Sequence, residues 1–85
     1  MTGKSVRRKV KRIIDGDTFE LYAPIQGSKK VRISGLNAPE RNTAPGRRAT
    51  NSLRGKIGGK IVTVKPVARS YDRIVGDVYH KWRKL

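Results

Sequence analysis

The sequence has no cysteine. That excludes a disulfide framework, a zinc–cysteine centre and a thiol nucleophile. It has no apolar run long enough for a transmembrane helix. The basic stretch Met1 to Val10 is not followed by the apolar core of a signal peptide, so the expected location is cytoplasmic, or that of a mature secreted form. Histidine occurs once, at His80, and is read as structural. Acidic residues are scarce: 6, against 21 lysines and arginines, for a net charge of +15.

What remains is a short basic chain. Eighty-five residues allow one domain, spanning 1–85. Valine, isoleucine, leucine and phenylalanine number 20, which is just enough for a core in a chain this charged. A domain of this size buries roughly 60–65% of the surface its unfolded chain exposes. Self-repulsion lowers its stability further, and screening salt, a bound anion or a cation in an acidic pocket would raise it. The charge points to nucleic acid, attracted through counterion release without sequence preference. A membrane surface is the rival polyanion, but no basic amphipathic helix with a large apolar face supports it.

The pattern predicts strand, strand, strand, helix, strand, strand. Val6 to Ile14 reads as the first strand, and Asp15-Gly16 as a hairpin turn. Asp17 to Ala23 and Lys29 to Leu36 read as the second and third strands. Thr43 caps a helix that starts at Pro45, a position that tolerates proline. Ala49, Leu53 and Ile57 give that helix one apolar stripe, and Gly58-Gly59 ends it. Lys60 to Val67 and Arg73 to His80 read as the last two strands, and His80 to Leu85 as a short basic tail (80–85). This order predicts a mainly β fold with a helix: a five-stranded Greek-key barrel of the OB type.

With so few carboxylates, their positions carry information. Strand alternation puts Asp17 on the face of Phe19 and Leu21, both expected in the core. Asp17 then leans inward at the barrel mouth, where a carboxylate needs a cation, a metal or a proton. The plain alternative is a wet turn residue.

Four segments, in order, are Ile14-Asp15-Gly16-Asp17-Thr18, the run from Val31 to Glu40 (VRISGLNAPE), Gly58 to Val64 (GGKIVTV), and Tyr71 to Tyr79 (YDRIVGDVY). Together they make the chain resemble the staphylococcal nuclease (thermonuclease) family from Val6 to Tyr79. The resemblance implies a calcium ion held by Asp17, Asn37 and the backbone carbonyl of Ala38. It implies Glu40 as the general base, Arg32 and Arg73 on the scissile phosphate, and Tyr71 against the bound nucleotide.

Those roles suit the residue types. Calcium takes oxygen ligands from carboxylates, amides, carbonyls and water. Arginine presents a planar fork to phosphate, and glutamate can accept a proton from water. Three departures from the family pattern bear on this. Asn37 stands where many members have aspartate, which weakens calcium binding. Asp72 replaces the usual glycine and sets a carboxylate beside Arg73. The sequence ends at Leu85, where full-length members continue into helices that complete the nucleotide site.

The expected function is calcium-dependent hydrolysis of phosphodiester bonds in DNA or RNA, with little sequence specificity. The competing expectation is an OB-type module that binds nucleic acid without cutting it. A protein-interaction barrel has least support. Trp82 is expected either to stack on a base or to cover the barrel end.

Overall fold

In the computed structural model, which describes residues 4–85, alternate positions of the second to fifth strands carry most of the buried apolar residues. Phe19 and Leu21 on β2 (Thr18–Ile25), Val31 and Ile33 on β3 (Ser28–Ile33), and Val62 and Val64 on β4 (Ile61–Ser70) are at most 2% exposed. Val10 on β1 (Val6–Asp15) and Ile74 and Val78 on β5 (Arg73–His80) join them. Each such burial is worth about 1.5–3 kcal/mol.

Antiparallel pairing runs β3-β2-β1-β4-β5, and β3 and β5 pair in parallel, which closes the sheet into a barrel. The strand order, the closure and the helix between β3 and β4 make an OB-type barrel, as the sequence predicts. The helix α1 (Ala44–Ile57) lies against β1 and contributes Leu53 and Ile57 to the common core.

The helix ends follow the sequence. The Thr43 hydroxyl accepts the Gly46 N–H at 3.1 Å, and Pro45 sits in the first turn. The Gly58 N–H closes on the Arg54 carbonyl at 2.8 Å, and Gly59 takes a left-handed φ of +70°. Of the predicted stripe, Leu53 and Ile57 are buried and Ala49 is only half-buried, while Gly46 and Thr50 are buried too.

β4 runs three residues beyond the predicted Val67. Pro66 donates no ladder hydrogen bond, and the register with β5 shifts between Pro66 and Ala68 before pairing resumes to Ser70. The terminal segment forms a sixth strand, β6 (Arg83–Lys84), antiparallel to β5. Lys81 and Trp82 make its two-residue turn, and Leu85 packs back against the core.

Candidate active site

The Asp15–Thr18 pair closes the β1–β2 hairpin, with Gly16 and Asp17 as its loop. Asp15 Oδ1 accepts the Asp17 N–H at 3.1 Å, the i to i+2 contact by which an aspartate shapes its own turn. The Asp17 carbonyl accepts the Ile33 N–H at 2.8 Å and ties the turn to β3. Gly16 has no left-handed φ. A Cβ there would come within 2.7 Å of the Ala38 and Ala49 Cβ atoms. Glycine is required because the hairpin, the loop after β3 and α1 converge on it.

Asp17 is 9% exposed, as its strand phase predicts. Its Oδ1 accepts the Thr18 hydroxyl at 2.9 Å. Its Oδ2 accepts the Ala38 N–H at 3.2 Å and lies 3.6 Å from Arg32 Nη2. Burial pushes the Asp17 carboxyl up, but hydrogen bonds from Asp15, the Ala38 amide and Thr18, with the Arg32 charge, bring it below its ordinary value. Asp15 moves the other way: burial raises it, and its hydrogen bond to Asp17 adds to the rise. Of the two carboxyls in the turn, Asp17 is the one held toward its ionised form.

Arg32 Nη2 also donates to Asn37 Oδ1 at 2.9 Å. One guanidinium therefore meets both side chains that the family resemblance assigns to a metal. Ala38 contributes its N–H to Asp17. Among the described residues no three histidine, cysteine, aspartate or glutamate side chains gather at one point. The oxygens of Asp17 and Asn37 converge on a cation, Arg32, so the pocket suits a positive charge. By donor chemistry the pair fits a hard oxygen-seeking ion, with only one full negative charge to hold it.

Arg32 and Arg73 share a face. Val31 and Ile33 point into the barrel, so Arg32 points out; Ile74 and Gly76 are buried, so Arg73 points out as well. In the parallel ladder Lys30 faces Arg73 and Arg32 faces Val75. The two arginines are then roughly 8 Å apart at Cα, one strand over and two residues along. Asp72 lies 3.2 Å from Lys30 Nζ and 4.0 Å from Arg73 Nε. Its carbonyl accepts the buried Ser28 hydroxyl at 2.5 Å, which pins this turn to the start of β3. Tyr71, in the same turn, is 96% exposed with a φ of 54°.

Glu40 makes no ion pair with Arg32 or Arg73. Its carbonyl accepts the Thr43 N–H at 3.1 Å and the Thr43 hydroxyl at 2.6 Å. A Cβ at Gly46 would collide with that same carbonyl, so helix and loop are in close contact there. The Glu40 carboxylate is exposed in a groove of about 530 Å³ shared with Arg41, Arg47 and Arg54. It has no ion-pair partner among the described residues, and none of the groove residues is Arg32 or Arg73. Sequence reasoning missed Thr18, whose hydroxyl fixes Asp17, and Lys30, which adds a third cation to the Arg32–Arg73 face. The strand phase held both: each alternates with core residues of its own strand.

Comparison with known proteins extends this picture. The chain is 35% identical over 75 residues to a protein named "Uncharacterized endonuclease" from Escherichia coli, covering 87% of this chain and 48% of that protein. It is 32% identical over 84 residues to "Endonuclease YhcR" of Bacillus subtilis (strain 168), covering 81% of this chain and 7% of that one. It is 38% identical over 76 residues to "Protein ParB" of Escherichia coli, covering 87% and 42%. The chain matches no protein-family model. It spans about half the length of the Escherichia coli relatives and a small part of the Bacillus one. Two of these proteins carry endonuclease in their names, and each match extends over most of this chain.

Proposed function

We propose that this domain hydrolyses phosphodiester bonds of DNA or RNA with little sequence preference, in the manner of the thermonuclease family. The observation that carries the reading is the placement of Arg32 and Arg73 on one outer face, with the Asp17 carboxylate and Asn37 packed against Arg32. The endonuclease-named relatives support it. So does the net charge of +15, which draws a polyanion from solution.

Each residue has a role its chemistry allows. Arg32 and Arg73 donate paired hydrogen bonds to the non-bridging oxygens, where negative charge builds as the phosphorus becomes five-coordinate. Glu40, exposed and without a cationic partner, takes a proton from the attacking water. The new bond joins water oxygen to phosphorus, and the bond to the leaving sugar oxygen breaks. Tyr71 offers a bare ring to the adjacent base. Asp17 and Asn37, with the Ala38 backbone, would hold calcium. When bound, calcium would polarise a phosphate oxygen and neutralise charge there. Arg32 donates to Asn37 Oδ1 and lies beside Asp17 Oδ2, so the ion would share those oxygens with the guanidinium.

The test incubates single-stranded DNA and RNA with the protein in calcium, in chelator, and as Glu40→Gln. Cleavage in calcium that the chelator and Glu40→Gln each suppress about hundredfold or more supports the reading. Equal cleavage in all three arms marks a contaminating nuclease and sinks it.

A second reading is a module that binds nucleic acid without cutting it. Asp72 beside Arg73 favours it, because its carboxylate competes with phosphate for that guanidinium. That reading expects binding that survives chelation, falls steeply with salt, and leaves the strand intact.

A further inference from the structure

The opposite end of the barrel carries a second basic surface. Across its outer face, Arg7 on β1 pairs with Thr63 on β4, Thr63 with Tyr79 on β5, and Tyr79 with Lys84 on β6. Beside this row lies a groove of about 630 Å³, whose lining includes Arg7, Lys60, Ile61, Tyr79, Lys81 and Trp82. No carboxylate lines it among the described residues. Asp77, two positions along β5, is taken up by Lys84 at 3.5 Å.

Trp82 is the protein's one tryptophan and is 99% exposed. The turn that presents it sets two non-glycine residues, Lys81 and Trp82, at left-handed φ values of 51° and 72°. Such a backbone is strained. Here the strain holds an indole in open water above a cationic groove, rather than folding it over the barrel end. Ile61, 53% exposed, supplies an apolar floor between the cations.

We infer that this groove is a docking track for single-stranded nucleic acid, separate from the Asp17–Arg32 site: phosphates lie on Arg7, Lys60 and Lys81, and an unpaired base stacks on Trp82. The inference rests on nucleic acid being the partner, as in the function proposed above, but not on cleavage. Aromatic faces interleaved with a basic groove are what an unpaired strand requires, whereas a duplex keeps its base faces stacked away from such a ring. A second copy of this chain is a poor occupant, because the groove would set cation against cation. Arg7 lies eight residues along β1 from Asp15, or roughly 26 Å. A strand reaching both sites would be held at two places, so long substrates gain an affinity that short ones lack.

Fluorescence of the lone tryptophan tests this directly. The protein is titrated with a twenty-nucleotide oligothymidylate in chelator, with anisotropy of the labelled strand followed in parallel. The expected result is saturable quenching of Trp82 with the midpoint seen by anisotropy. Trp82→Ala should weaken binding about tenfold, while Trp82→Tyr keeps most of it. Arg7→Gln combined with Lys81→Gln should flatten the slope of log affinity against log salt by about 1.4. Binding that leaves Trp82 fluorescence and the Trp82→Ala affinity unchanged overturns the track and leaves the cleavage reading standing. Concentration-dependent quenching without nucleic acid would mean a self-interface, and also overturns it. Quenching with an uncut strand in calcium keeps the track and removes the cleavage reading.

Discussion

Arg32 Nη2 donates to Asn37 Oδ1 at 2.9 Å, so an internal cation occupies an oxygen that a metal would need. The same nitrogen lies 3.6 Å from Asp17 Oδ2. The calcium proposed to bind here would compete with a guanidinium for these oxygens, with one full negative charge to hold it. Asn37→Asp adds a second. Two opposite unit charges at 4 Å interact by about 4 kcal/mol near a protein surface, and the tighter Arg32 pair in the variant offsets part of that. Calorimetric titration should find calcium bound about tenfold more tightly by Asn37→Asp than by the native sequence. Weaker binding by the variant would show that Asn37 does not face the ion.

The second prediction concerns packing behind the site. A Cβ on Gly16 would come within 2.7 Å of the Ala38 and Ala49 Cβ atoms. Neither neighbour is a flexible side chain, so the loop or the helix must move. Gly16→Ala should cost about 1–3 kcal/mol in denaturant unfolding. It should also loosen the Ala38 N–H from Asp17 and weaken calcium binding in parallel. A variant as stable as the native protein would mean that the three segments do not converge there.

That glycine marks where the sequence was legible and where it was not. Asp15-Gly16 announces a hairpin, and the hairpin forms, because alternation on both sides fixes the pairing of Ile13 with Phe19. The reason for the glycine is long-range contact with Ala38 and Ala49, which no local pattern encodes. The helix was legible because Thr43, Pro45 and Gly58-Gly59 act through neighbouring backbone groups. The sixth strand was not: Arg83 and Lys84 have no apolar alternation, and their turn uses Lys81 and Trp82 where glycine or asparagine would be expected. In the site, the motif order pointed to Asp17 and the two arginines, and the strand register puts both arginines on one face. That Arg32 bridges Asp17 and Asn37 depends on side-chain direction across a loop, which spacing alone does not contain.

Asp72 gives a third prediction. The hydrogen bond from Lys30 holds its carboxyl below the ordinary value, and the Lys30 and Arg73 charges add to this. A depressed folded-state pKa stabilises the fold above the unfolded carboxyl value, and that contribution is lost as pH falls through the lower folded one. Carboxyl chemical shifts against pH should find Asp72 titrating below a free aspartate, and Lys30→Gln should move it up. Asp72→Asn removes the negative charge 4.0 Å from Arg73 and should tighten nucleic-acid binding at low salt. Unchanged affinity would mean that Arg73 does not contact the strand.

The last prediction links the helix cap to the proposed base. The Thr43 hydroxyl accepts the Gly46 N–H and donates to the Glu40 carbonyl at 2.6 Å. One side chain thus ends the helix and anchors the residue whose carboxylate is proposed to take the proton. Thr43→Ala should cost about 1 kcal/mol of stability through the lost cap. If Glu40 is the base, Thr43→Ala should also lower kcat while leaving KM nearly unchanged, since the Thr43 hydroxyl bonds the Glu40 carbonyl and the Gly46 N–H and not the arginines proposed to bind phosphate. Thr43→Ser keeps the hydroxyl and should restore both properties. In a Glu40→Gln background Thr43→Ala should have no further effect on rate, because the group it positions is already gone. An equal rate loss in both backgrounds would show that the cap acts on cleavage through general stability and that Glu40 is not its target.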